Sequence, residues 1–182
     1  MSGFHSLAAV ALLAASAHAQ IIPAAKINTD SALHPGRQAI AGVELLLNTR
    51  LYALGTANDP VDMLGLTRGL YLPNYGAVFT SEISLIVTPT VMPFRLTITK
   101  EMHDQVHQRK IARMPALRNA MVEMIRQAAG QLPQVPENQQ IVVAVRLKYM
   151  SWEDRAGLPG QLIVSATRKD ALNGVVQATE EQ

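Results

Sequence analysis

Residues 67–87, TRGLYLPNYGAVFTSEISLIV, set the narrowest limit on what this chain can fold into. Two β-rich runs flank Pro73-Asn74-Tyr75-Gly76. Proline fixes φ, asparagine tolerates unusual backbone angles and glycine supplies freedom, so the four residues read as the turn of a hairpin. In the second run Phe79, Ser81, Ile83, Leu85 and Val87 share one face and Thr80, Glu82 and Ser84 the other. That alternation describes a strand with one buried and one wetter face, and the buried face needs a cover of helices or of a second sheet.

The rest of the chain supplies the cover. After a break at PTVMP, PFRLTITK alternates again, with Phe94, Leu96 and Ile98 inward. QIVVAVRLKYM and QLIVSATRK form a second strand pair around the loop SWEDRAGLPG. Between Arg37 and Leu54, Ile40, Val43, Leu47, Leu51 and Leu54 recur at helical spacing, and Gly55 ends the run. A second helix begins after Thr99, a suitable N-cap, runs to about Ala129 and stops at Gly130. Pro115 interrupts it; proline has no amide hydrogen for the Ile111 carbonyl, which predicts a kink or two abutting helices near Met114. The order α-βββ-α-ββ predicts an α+β fold, a mostly antiparallel sheet of about five strands with two main helices packed on one face. Residues 37–176 form the single domain, 20–36 read as a linker or N-terminal arm, and 177–182 as a flexible tail.

The first 19 residues read as a secretory signal peptide. An apolar run from Leu7 to Ala17 precedes Ala17-His18-Ala19, an A-x-A cleavage pattern, although no Lys or Arg precedes the run. The run is shorter than the ~20 apolar residues of a membrane span. Removing it leaves about 160 residues, one domain's worth, with no transmembrane segment and a periplasmic or secreted location. The chain has no cysteine, so thiol nucleophiles, thiolate metal ligands and a lipid-modified N-terminal cysteine are absent. A net charge of +2 is too small to point to nucleic acid, and 4% aromatic content leaves little for base or sugar stacking. No G-x-S-x-G elbow and no glycine-rich phosphate loop occurs.

HDQVH, residues 103–107, is one methylene away from H-E-x-x-H, the helical spacing that puts two imidazoles on zinc. A catalytic zinc takes three protein ligands and keeps one position open. Beyond the leader only His34, His103 and His107 remain, so the third ligand would be His34 or a carboxylate such as Glu123. Asp104, as base, is shorter than the glutamate of the motif. The alternative to a metal site is two ordinary histidines at the margin of the core.

Two further features could bind a partner. On the same helix Lys100, Arg109, Lys110, Arg113, Arg118 and Arg126 outnumber Glu101, Asp104 and Glu123, with the concentration around QRKIAR. Such a face could dock an acidic partner or an anionic envelope polymer, or simply be solvated. In SWEDRAGLPG, Trp152, Glu153, Asp154 and Arg155 crowd one loop; tryptophan and arginine are favoured anchors of interfaces. Tyr75, at the hairpin tip, could add a contact. The resulting expectation is an exported, non-enzymatic binding protein of the bacterial cell envelope without cofactor, using the Trp152 loop with Arg109, Lys110 and Arg113. The alternatives are a zinc-dependent hydrolase with His103 and His107 as ligands, and a small-molecule sensory module.

Overall fold

A computed structural model of the chain describes residues 34–88 and 97–181. The signal peptide and most of the expected arm lie outside them. The elements are α1 (Arg37–Tyr52), β1 (Asp62–Leu72), β2 (Gly76–Ser84), α2 (Lys100–Gln131), β3 (Gln140–Leu147), β4 (Gln161–Thr167), α3 (Arg168–Leu172) and β5 (Gln177–Glu181). The fold is α+β. One five-stranded sheet has the spatial order β1-β2-β3-β4-β5, antiparallel except where β2 lies parallel to β3. Parallel neighbours cannot be joined by a tight turn, and α2 lies within the crossover between them.

Register explains the core. Ala77, Phe79, Ser81 and Ile83 of β2 stand level with Ile141, Val143, Val145 and Leu147 of β3. Ala166, Val164 and Leu162 of β4 continue three of these rows. On this face sit Val43, Leu47 and Leu51 of α1 and Leu117, Met121, Met124, Ile125 and Ala128 of α2, all fully buried. α1 contacts β1, α2 contacts β3 and β4, and the two helices touch each other.

The strand count of five agrees with the sequence, but one strand differs in identity. Of PFRLTITK, Phe94, Arg95 and Leu96 lie outside the described residues, and Thr97–Thr99 are not strand. The fifth strand is instead Gln177–Glu181, expected as tail, which pairs with β4 from Gln161 to Ser165. β1 begins five residues before the run at Thr67, inside what reads as loop. Thr99 caps α2 as expected, its hydroxyl accepting from the Met102 amide at 3.3 Å. α2 continues through Pro115 as a single helix of 32 residues rather than two.

β1 is unusual in what it turns inward. Thr67, Gly69 and Tyr71 face the helices, whereas Leu64, Leu66, Leu70 and Leu72 are each about half exposed. Gly69 is small because α1 and Phe79 come close; a Cβ there would lie 2.4 Å from the Phe79 ring and 2.8 Å from Ile40. α1 also seals the strand's outer edge. The amides of Thr67 and Gly69 donate to Asn48 Oδ1 and Glu44 Oε1, both at 2.8 Å. Arg37 holds the Glu44 carboxylate with two hydrogen bonds of 2.7 and 2.8 Å. An edge whose amides are already occupied is a poor template for a further strand.

Candidate functional site: the β3–β4 loop and its cleft

The loop from Lys148 to Gly160 follows β3 at the end of the sheet where Ile83 and Leu147 stand level. It folds back onto the first half of α2. Four contacts hold it there. Lys110 Nζ donates to Glu153 Oε2, with both side chains about 1% exposed. The Lys110 ammonium also lies 4.8 Å from the centre of the Tyr149 ring and 3.4 Å from the Lys148 carbonyl oxygen. His107 Nδ1 is 3.2 Å from the Asp154 carbonyl oxygen.

Burial dominates the electrostatics of this cluster. Desolvation pushes the Lys110 pKa down, against the hydrogen bond and charge of Glu153. Burial raises the Tyr149 phenol to about 12, with Arg155 opposing the shift. The phenol donates to the Pro159 carbonyl oxygen at 2.7 Å, and the Arg155 guanidinium lies 5.2 Å from the ring centre on which Lys110 also rests. Glu153 Oε1 is buried without a hydrogen-bond partner among the described residues. A carboxylate satisfied on one oxygen only depends heavily on its single cation.

The two binding features of the sequence are thereby joined, but not as an open surface. Arg109 and Arg113 both pair with Asp59, from the loop after α1. Arg113 also donates to the carbonyls of Leu85 and Asp59. Arg118 pairs with Glu180 of β5, and Arg126 with Glu123. Of the three cations expected to form a basic docking face, Lys110 is therefore interior and Arg109 and Arg113 tie loops to the helix. Trp152 is half-buried and Glu153 is buried, while Arg155 is exposed. Tyr75 is exposed at the opposite end of the sheet, where Gly76 stands level with Gln140, and does not join the others.

What the loop leaves open is a cleft of about 580 Å³, bordered by Arg146, Lys148, Tyr149, Glu153, Arg155 and Glu181 among others. Arg146 and Arg155 form no ion pair among the described residues, and the nearest carboxylate to Lys148 is Glu82 at 3.9 Å. Arg146 is the residue sequence reasoning missed. Its signal is positional: it is the outward residue between Val145 and Leu147, on the last outward row of the strand before the loop.

The histidine pair does not acquire a third donor. His103 Nδ1 is 3.2 Å from its neighbour Asp104, and His107 is engaged by the loop. His34 stacks on Tyr71 of β1, with ring centres 4.9 Å apart, and Glu123 is held by Arg126 and Gln127. Among the described residues no three His, Asp or Glu side chains are grouped to hold a metal ion. Nor is any helix among them long and apolar enough to cross a membrane. Comparison with family models, curated proteins and solved structures returns no match.

Proposed function

We propose that this chain is a non-enzymatic binding protein, exported to the bacterial cell envelope, that engages an anionic segment of another envelope macromolecule at the cleft beside the β3–β4 loop. Export rests on the leader-like residues 1–19. The observation that carries the binding reading is the contrast between two sets of cations. Arg109, Lys110, Arg113, Arg118 and Arg126 of α2 are spent on internal carboxylates and carbonyls, whereas Arg146 and Arg155 border one cleft, shared with Glu153 and Glu181, without an ion pair among the described residues, and Lys148 beside them reaches only Glu82 at 3.9 Å. Convergent charges in a concave wall focus the field and favour a ligand of opposite sign. The buried Lys110–Glu153 pair and the Tyr149 ring fix the loop that carries Arg155, so the wall is preformed. Trp152 remains the apolar anchor of the reading, half-exposed in the same loop.

Titration with an acidic probe, oligoglutamate, tests this by isothermal calorimetry at low salt. Arg146→Glu with Arg155→Glu should weaken binding at least tenfold, and added salt should weaken the wild type. Arg109→Glu, which disturbs a pair outside the cleft, should leave affinity near wild type. Retained affinity in the double variant removes the cleft as the site.

A further inference from the structure

Among the described residues the sheet has helices on one face only, and its other face is not uniformly polar. Leu70, Val78 and Val142 stand in one row across β1, β2 and β3, with Leu72 beside them on β1; Val78 is partly buried and Val142 buried, so the exposed apolar surface is that of the β1 leucines. The next row holds Arg68, Thr80, Ala144 and Ile163, and the row beyond holds Glu82 and Arg146. Leu70 and Leu72 are 48% and 42% exposed, and Leu66, at a bulge in the same strand, is 54% exposed. A strand that turns glycine and threonine toward its own core and leucine toward solvent inverts the usual preference. Contiguous apolar patches of this kind mark interaction surfaces.

From these rows we infer that the open face is the interface of a homodimer, with a second copy of this chain packed sheet against sheet. Two features select that occupant. First, the edge beside the leucines is closed, because Asn48 and Glu44 occupy the amides of Thr67 and Gly69, so a partner adding a strand there finds no donors at those positions. What remains is a flat face, and flat twisted sheet packs best on another sheet at about 10 Å with strands nearly aligned. Second, Arg68 and Glu82 are complementary across a two-fold axis, with Arg146 and Lys148 beside Glu82. Arg68 makes no ion pair among the described residues, and Glu82, one row away on β2, has only Lys148 at 3.9 Å. A two-fold axis running along the strands between β1 and β2 lays Leu70 over Val78 of the second copy and brings Arg68 beside its Glu82. Such a contact occurs twice, as an isologous interface requires. The contact meets the cleft at Glu82, which stands level with Arg146 and 3.9 Å from Lys148, whereas Leu70 and Arg68 lie outside the cleft lining and their variants test the dimer alone.

Sedimentation equilibrium on the purified chain, over a wide range of concentration, tests the inference. The wild type should approach the dimer mass. Leu70→Asp should raise the dissociation constant at least tenfold with an unchanged circular dichroism spectrum, since Leu70 contributes nothing to the core. Arg68→Glu alone should weaken the dimer, and Arg68→Glu with Glu82→Arg should restore it, a rescue that damage to the monomer fold would not produce. A monomer at every concentration overturns the inference. So does a dimer indifferent to Leu70→Asp and Arg68→Glu.

Discussion

Lys110 is the residue on which the loop turns. Val106, Lys110, Met114, Leu117 and Met121 follow one another at three- and four-residue steps along α2, and all are buried. Lysine therefore occupies a core position of an otherwise apolar stripe, and Glu153 meets it there. A buried pair of this kind gains little over well-packed apolar residues, but removing one partner strands the other. Lys110→Met should cost about 3–5 kcal/mol in urea unfolding, because Glu153 loses its only cation and already has one unpartnered oxygen. Lys110→Met with Glu153→Leu should recover most of the loss. A double variant as unstable as the single one would mean that the lysine contributes through packing on Tyr149 rather than through charge.

At the scale of elements, α2 is the most informative. An interior proline removes one backbone hydrogen bond and crowds the preceding turn, yet the helix carries on through Pro115, held by fully buried Leu117 and Met121 immediately beyond it. Pro115 itself is exposed. Pro115→Ala should raise stability by about 1–3 kcal/mol, read as a higher melting temperature; a decrease would show that the proline ring is needed for the fit of α2 on β3 and β4. The elements legible in sequence share a simple cause. β2, β3 and β4 alternate because one face is sealed by helices, and Thr99 announces α2 because its hydroxyl meets a free amide. The start of β1 was not legible, because bulges near Leu64 and Leu66 break the two-residue period and small residues stand where apolar ones are expected. QATEE of β5 shows no apolar pattern because all five residues are exposed; backbone pairing to β4 and the Arg118–Glu180 contact hold it. The site was legible by half. Lys110 and Glu153 both stood out as charges, but their pairing spans 43 residues and follows from the loop folding back, which no local spacing encodes.

For the molecule as a whole, the arrangement of charges fixes how stability depends on pH. Hydrogen bonding to Arg37 holds Glu44 below its ordinary value of 4.5, and the Gly69 amide acts in the same direction. Glu123 and Glu180 are lowered by Arg126 and Arg118, though both are more than a third exposed and solvent screens them. A carboxylate with a lowered folded pKa binds fewer protons folded than unfolded, so its stabilisation is complete above 4.5 and is lost as pH falls through the folded value. Glu44→Gln should therefore cost about 1–3 kcal/mol at pH 7, and the variant should lose less on acidification to pH 3 than the wild type does. At the alkaline end two buried groups act in opposite directions. Lys110, lowered from 10.5 by desolvation, releases its proton in the fold at a pH where the unfolded chain still holds it, so stability rises with pH through that interval up to 10.5. Tyr149, raised from 10.0 to about 12, keeps its proton in the fold after the unfolded chain has lost it, so stability falls between 10 and 12. Urea unfolding across this range should show the rise before the fall in the wild type and only the fall in Lys110→Met. An alkaline rise that persists in Lys110→Met would place its origin outside the loop cluster.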